Sequence, residues 1–345
     1  MKQPIAEEDM EDANRTDSSP SISEAYGLCE RIISNISTVI VGKEAGIKLL
    51  LTALLTGGHV LLDDVPGTGK TKLAATLARS IDVPFKRIQF TIDLLPSDLT
   101  GIHIYDRKAE EFVFRPGPLF TNILLADEIN RATARTQSSL LECMEERQIT
   151  VDGKTFGLSA PFFVIATQNP VETQGTFPLP EAQLDRFLLR LSMGYPDREE
   201  ALTILDRFQG RDPLLDLRPV GTAQEVNEAG RACESVLVHP VVRNYILDLI
   251  EATRCSEDVL LGASPRASLA LLRSSKAYAA IHGRDFVTPD DVKDLFPHVI
   301  GHRLILQASS STLSFQGYGR AHRRSLDILS RILKSVPCPT EDFRP

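Results

Sequence analysis

The sequence is poor in the features that would take it out of the ordinary globular class. No apolar run reaches the ~18 residues that a membrane-crossing helix requires, and the first residues show neither the basic segment nor the apolar core of a secretory signal. The expected location is therefore the cytoplasm unless a partner recruits the protein. Cysteine is sparse: Cys29, Cys143, Cys233, Cys255 and Cys338 are odd in number, far apart and never in a Cys-x-x-Cys pair. That spacing argues against a disulfide framework or a zinc knuckle and reads as reduced thiols. Positive charge is also in deficit, 38 Lys and Arg against 46 Asp and Glu for a net charge of -8, and the cations are scattered. There is no basic footprint for a phosphate backbone and no recognisable DNA-binding module, so nucleic acid is not an expected partner. Internal repeats are lacking as well. What remains is 345 residues, 42% apolar and 24% charged, enough for one large domain and one small one with two cores.

Residues 1–20 are acidic and polar with little to bury, and a disordered tail is expected there. From Ser21 the pattern turns helical, and after Gly42 a second helical stretch, KEAGIKLLLTALLTGG, ends at a glycine pair suited to a helix C-terminus. His59 to Asp63 then reads as a short buried strand. Strand-like runs recur at Phe85 to Phe90, Ile123 to Ala126 and Phe162 to Thr167, alternating with helical or loop material, the pattern of a wound parallel sheet. Within ITV-DG-KTF, Asp152-Gly153 is the pair that a tight type I′ hairpin demands. These elements predict an α/β core over 21–194. Beyond Tyr195 helical patterns run through Arg198 to Phe208, Thr222 to Val236, Val241 to Thr253, Ser264 to His282 and Pro289 to Leu295. A smaller all-α domain is expected over 195–335, with a Ser- and Gly-rich loop at Ser309 to Gly319, a last helix around Ser325 to Leu333, and a tail at 336–345.

The strongest chemical signal is Asp64-Val65-Pro66-Gly67-Thr68-Gly69-Lys70-Thr71, set between a strand and the amphipathic helix KLAATLARS. This is the context of a phosphate-binding loop. Gly67 and Gly69 let backbone N–H groups close on phosphates, Lys70 suits the β and γ phosphates, Thr71 suits Mg²⁺, and the helix start favours anions. Asp64 stands where the usual pattern has its first glycine, a departure that leaves the other elements intact. Further on, Ile-Leu-Leu-Ala-Asp127-Glu128 is an apolar strand ending in two carboxylates; Asp127 can hold Mg²⁺ through water and Glu128 can act as general base. The bland alternative, a strand followed by an acidic helix start, loses ground behind such a loop. Thr167-Gln168-Asn169-Pro170 closes another strand at the sheet end where ligands bind, so Asn169 can orient the lytic water, although Asn-Pro is also an ordinary turn.

Taken in order, LLDDVPGTGKT, FRPGPLF, LLADEINRA, TQSSLLECMEE, ATQNP, GTFPLPEAQLDRF and GASPRA resemble the MoxR-family AAA+ ATPases from about Val39 to Leu306. The resemblance implies an AAA+ P-loop core with an insertion in helix 2 and a helical lid. It further implies that ATP and Mg²⁺ bind in a homo-hexameric ring. Arg186, in LPEAQLDRF, matches an arginine finger that reaches the γ phosphate of a neighbouring subunit, and Arg266, in GASPRASL, matches a sensor 2 arginine that reaches back to the nucleotide. For each, the bland reading is a surface ion pair or an idle helix-start cation. Val41 and Gly42 fall where the family packs adenine. The segment from about Leu99 to Pro118 matches the helix 2 insertion and the Asp-Gly hairpin matches the one before sensor 1, both shared with magnesium chelatase motors. Partners with a von Willebrand factor A domain, and chaperone-like remodelling or maturation of client proteins, are further implications.

Two other readings stand beside this one: the motor subunit of a metal chelatase, and an ATP-gated scaffold with little turnover. Against the scaffold, Glu128, Asn169, Arg186 and Arg266 are all present. His298 and His302, four apart, lack an adjacent third ligand and read as structural. Glu142, Glu145 and Glu146 read as a solvated or intersubunit face.

Overall fold

The computed structural model describes residues 21–63, 67–168, 176–307 and 317–340. The acidic segment 1–20, Asp64 to Pro66, Asn169 and Pro170, most of the Ser309 to Gly319 stretch and the end of the C-terminal tail lie outside them.

In chain order, α1 (Ile22–Ser37) and α2 (Glu44–Leu55) precede β1 (Val60–Asp63), α3 (Lys70–Ser80), β2 (Phe85–Gln89) and a short α4 (Pro96–Thr100). The hairpin β3 (Gly101–Asp106) and β4 (Glu111–Pro116) follows, then β5 (Ile123–Asp127) and α5 (Ala134–Glu146). A second hairpin, β6 (Gln148–Val151) and β7 (Lys154–Gly157), leads to β8 (Phe163–Gln168), one-turn α6 (Glu181–Leu184) and β9 (Leu189–Leu191). The central sheet has the order β2-β5-β8-β1-β9, with every neighbouring pair parallel.

Side chains alternate across this sheet with the two-residue period of a strand. Val60, Leu62, Ile123, Leu125, Phe163 and Ile165 face α1, α2 and α3, whereas Leu61, Leu124, Ala126, Val164 and Ala166 face Leu140, Leu141 and Met144 of α5. The fifth strand, β9, is not legible as a strand in the sequence, because three residues are too few for a periodic signal and the central one is Arg190. Its guanidinium is buried against Asp63, Nε to Oδ2 2.8 Å, which is how a cation is tolerated in a sheet.

The C-terminal part comprises α7 (Arg198–Arg207), α8 (Pro213–Asp216), α9 (Ala223–Glu234), α10 (Pro240–Cys255), β10 (Val259–Leu261), α11 (Pro265–Ile281), α12 (Pro289–Ile300), β11 (Ile305–Leu306) and α13 (Gly317–Ser335). Helix starts follow local chemistry: Ser21 with Glu24, Asp197 with Glu200, Thr222 with Glu225 and Thr288 with Asp291 form reciprocal capping boxes. Three expectations need correction. The lid is not purely helical, since β10 and β11 pair antiparallel; strands this short form only when the fold brings them together. Helix α13 begins at Gly317 rather than near Ser325, its start hidden by Gly317 and Gly319, while Ile328, Leu329 and Ile332 dock it. Finally, there are two cores, but the sheet divides them rather than the domain boundary: Val226, Val242, Leu249, Leu271, Phe296 and Val299 of the lid join the core on the α1–α3 face.

Two hairpins project from the α/β part and are joined. Asp152 (φ 49°) and Gly153 (φ 77°) are both left-handed, as the type I′ turn requires. Phe114 of β4 stacks on Phe156 of β7 with centroids 4.8 Å apart, Phe120 packs edge-on against both rings, and His103 of β3 meets Asp152, Nδ1 to Oδ2 2.7 Å. The helix 2 insertion and the Asp-Gly hairpin therefore form one body.

Buried histidines make stability pH-sensitive. His59 accepts at Nδ1 from the Val164 N–H (3.0 Å) and so donates from Nε2 to the Met144 carbonyl (3.0 Å). Burial, and secondarily Arg147, pushes its pKa down to about 3. Burial likewise lowers His322 to about 4 and His302 well below its ordinary value. Each stays neutral in the fold but takes up a proton when unfolded. Their stabilisation is thus complete above about pH 6.5 and is lost as pH falls towards the folded values, each unit of difference being ~1.4 kcal/mol. The melting temperature should fall between pH 7 and pH 5, and His59→Gln should flatten that dependence; equal slopes for both proteins would contradict the assignment.

Candidate active site

Parallel strands place all their C-terminal ends at one edge, and the phosphate-loop motif emerges there, after β1. Gly67 (φ 87°) and Gly69 (φ 83°) are left-handed, and Gly69 is the N-cap of α3. A Cβ added to either would meet nothing within 4 Å, so glycine is needed there for backbone conformation rather than for room. Lys70 and Thr68 are half-buried, and Thr71 is exposed in the first turn of α3. An open glycine backbone, a helix start, an ammonium and a hydroxyl suit a phosphate chain with a hard cation. Asp63, at the root of the loop, is held by Arg190.

Two strands away, β5 delivers the carboxylates. Asp127 closes the strand, and Glu128 adopts a left-handed conformation (φ 55°) that starts the next turn. Both depend on Thr167 of β8. Its hydroxyl donates to Asp127 Oδ1 at 2.6 Å and accepts the Glu128 N–H at 2.8 Å. Glu128 Oε2 also accepts from Gln89 Nε2 (2.7 Å) and pairs with Arg131, whose Nε lies 3.0 Å away, while Asp127 Oδ2 accepts from Arg87 Nη2 (2.6 Å). Sequence reasoning assigned no role to Thr167, Gln89 or Arg87. The Thr167 signal was present, one residue before the strand end, but which carboxylate it meets depends on the β5–β8 register. Asn169 lies outside the described residues, one position beyond Gln168, whose register partner is Asp63.

Arg186 and Arg266 come together, and on a residue read as part of a charged face. Arg186 Nε lies 3.3 Å from Glu145 Oε2, and Arg266 Nη2 donates to Glu145 Oε1. The Arg266 guanidinium foremost, with burial opposing and Arg186 helping less, holds the Glu145 carboxyl below its ordinary range. This cluster belongs to the other end of the sheet. Next to Glu145, the Met144 carbonyl is bound by His59, and Arg147 donates to the carbonyls of Gly57 and Phe162 (the latter 2.6 Å), residues that precede β1 and β8. Leu188, two residues after Arg186, donates its N–H to the His59 carbonyl at 2.8 Å. Residues flanking this cluster thus meet the N-terminal end of β1, whereas the glycine loop follows its C-terminal end, ~13 Å along a four-residue strand. Arg266, expected to reach back to the nucleotide, lies in the first turn of α11 and meets Glu145 at this edge of the sheet.

Val41 and Gly42 sit between core and lid. Gly42 (φ 69°) lies so close to Glu200 that a Cβ would overlap its carboxyl group, and Lys43 Nζ contacts Glu200 Oε2 and the Tyr195 carbonyl, each at 3.2 Å. His298 and His302 contact the carbonyls of Arg190 (3.3 Å) and Phe187 (2.9 Å). Among the described residues no group of three His, Cys, Asp or Glu could hold a metal ion, and no helix is long and apolar enough to cross a membrane.

Sheet order, glycine loop and paired carboxylates define the P-loop nucleotide-binding class, and comparison with known proteins narrows it. Residues 59–189 match the ATPase family associated with various cellular activities (AAA), and residues 251–315 match the AAA lid domain. The chain is 46% identical to YeaC of Bacillus subtilis, an uncharacterised protein, over 92% of this chain and 96% of that one. It is 42% identical to Chaperone MoxR1 of Mycobacterium tuberculosis, covering 80% of this chain and 75% of the relative, and 32% identical to MoxR of Paracoccus denitrificans, covering 79% and 86%. The crystal structure of a candidate ATPase from Cytophaga hutchinsonii superposes with a TM-score of 0.82 at 38% identity, over 92% of this chain and 96% of that one. The chain belongs to the MoxR family of AAA+ ATPases, with an AAA+ P-loop core and a largely helical lid.

Thr167→Val keeps the shape of the side chain and removes both hydroxyl contacts to the carboxylates. Steady-state kinetics should show kcat reduced ~10-fold with KM for ATP nearly unchanged, the pattern of a lost transition-state contact. A change confined to KM would remove Thr167 from the hydrolytic centre.

Proposed function

We propose that the chain binds and hydrolyses Mg-ATP as a subunit of a homo-oligomeric ring, hexameric by family resemblance, and that turnover remodels or matures a partner protein. The observation that carries this reading is the gathering of Arg186 and Arg266 at the sheet edge remote from their own glycine loop. Two exposed or half-exposed guanidiniums there have no phosphate of their own chain to address, and a neighbour's nucleotide supplies one.

In this reading the backbone at Pro66, Gly67, Thr68 and Gly69 cradles the phosphates. Lys70 neutralises the β and γ oxygens, and Val41 and Gly42 border the adenine. Thr71 and Asp127 are the oxygen ligands for Mg²⁺, which when bound would offset phosphate charge. Glu128 takes the proton from the attacking water, Asn169 orients that water, and Thr167 holds Asp127 and Glu128 in register. Arg186 and Arg266, planar and permanently charged, stabilise charge developing on the neighbour's γ phosphate.

The remodelling arm rests on the name borne by Chaperone MoxR1 and on the joined hairpins, whose Ile102, Tyr105 and Phe112 are exposed, Phe112 by 71%. Apolar side chains presented in this way suit protein contact. Partners with a von Willebrand factor A domain are part of the same proposal.

Specific ATPase activity should rise with protein concentration, and Arg186→Ala should lower it by ~10³-fold, as loss of an arginine finger does, while nucleotide still binds. Glu128→Gln should retain ATP and release no phosphate. A rate flat in concentration and indifferent to Arg186 would reduce the protein to a nucleotide-binding scaffold.

A further inference from the structure

Glu145 lies on α5, whose two ends meet two different sites. At the N-terminal end, Gln137 donates to the carbonyls of Ile129 and Ala132, each at 3.1 Å, in the turn that begins at Glu128. At the C-terminal end, Glu145 accepts from Arg266 and pairs with Arg186, and the flanking residues Met144 and Arg147 are fastened to the N-terminal sheet edge through His59, Gly57 and Phe162. The 13 residues of α5 span ~20 Å. Leu140, Leu141 and Met144 bury one side of it against the sheet.

The arginines come from separate parts of the chain. Arg186 follows α6 in the α/β part, and Arg266 opens α11 in the lid. Two like charges so close repel each other unless an anion lies between them. The carboxylate of Glu145 offers one oxygen to each, Oε2 to Arg186 and Oε1 to Arg266. A fork of this kind sets the guanidiniums side by side with a net positive charge, the arrangement that suits one terminal phosphate group.

We infer that Glu145 is the positioning residue that yokes Arg186 and Arg266 into a single two-cation element, presented by α5 to the nucleotide of the adjacent subunit. The inference rests on the proposed sharing of sites between subunits. It adds that the lid and the α/β part deliver their arginines together, through one carboxylate that touches neither the nucleotide nor the attacking water.

The test uses the full-length protein alone and in mixtures. Glu145→Gln should lower kcat ~10-fold with KM for ATP nearly unchanged, since the arginines it aligns act on the transition state. Glu145→Asp, which keeps the charge, should retain more of kcat. Lys70→Ala subunits have a dead site but intact arginines, so mixing them in equal amount with Glu145→Gln should raise the rate per Glu145→Gln subunit ~5-fold, half of its neighbours then presenting an ordered pair. A chain that is merely misfolded gains nothing from such a neighbour. Unchanged or increased kcat in Glu145→Gln, or equal losses in the Asp and Gln variants, would overturn the inference. If Arg186→Ala is rescued by Lys70→Ala and Glu145→Gln is not, Glu145 fails as the yoke while shared sites survive. If neither is rescued, shared sites fail and the inference falls with them.

Discussion

The parallel pairing of the central sheet is the constraint on which the rest of the molecule depends. Because every neighbouring pair runs in the same direction, the sheet has two chemically different edges. The C-terminal edge collects the glycine loop after β1, the carboxylates after β5 and the Thr167 hydroxyl near the end of β8. The N-terminal edge collects His59, the end of α5 and the residues before β9, and with them the arginines. An antiparallel sheet would have mixed these groups.

Polar groups inside the protein hold that division in place. Arg190 in β9 reaches across to Asp63, and Arg303, beyond α12, binds Asp185, Nε to Oδ1 2.6 Å, and the Phe187 carbonyl, Nη2 to O 2.7 Å. The short segment from Asp185 to Arg190 is thereby tied to the lid at one end and to the root of the phosphate loop at the other. Removing one partner of a buried ion pair leaves an uncompensated charge and is strongly destabilising. Arg186 lies within this doubly tied segment.

The lid is less separate than its helical composition suggests. It shares a core with one face of the sheet through α1 and α2, so a change in lid position must disturb apolar packing around α1 and α2. On the other face the joined hairpins are a protruding body linked by aromatic rings and by His103 with Asp152. Packing unites the lid with the sheet, whereas the hairpins present apolar side chains outward.

The sequence by itself determined the α/β core, the glycine loop, the carboxylate-ended strand, the Asp-Gly hairpin and most lid helices. Each depends on residues adjacent in the chain: period-two or helical patterning, a left-handed turn that glycine tolerates, a capping box. It could not show β9, the β10–β11 ribbon or the early start of α13, whose local signals are too short or too glycine-rich. Only the tertiary structure decided that Thr167 serves both carboxylates, that the lid completes one of the two cores, and that Glu145 joins Arg186 to Arg266 away from the loop of their own chain. The contacts of Thr167 and Glu145 link residues 39 to 121 positions apart, and strand register and helix packing alone set which groups meet.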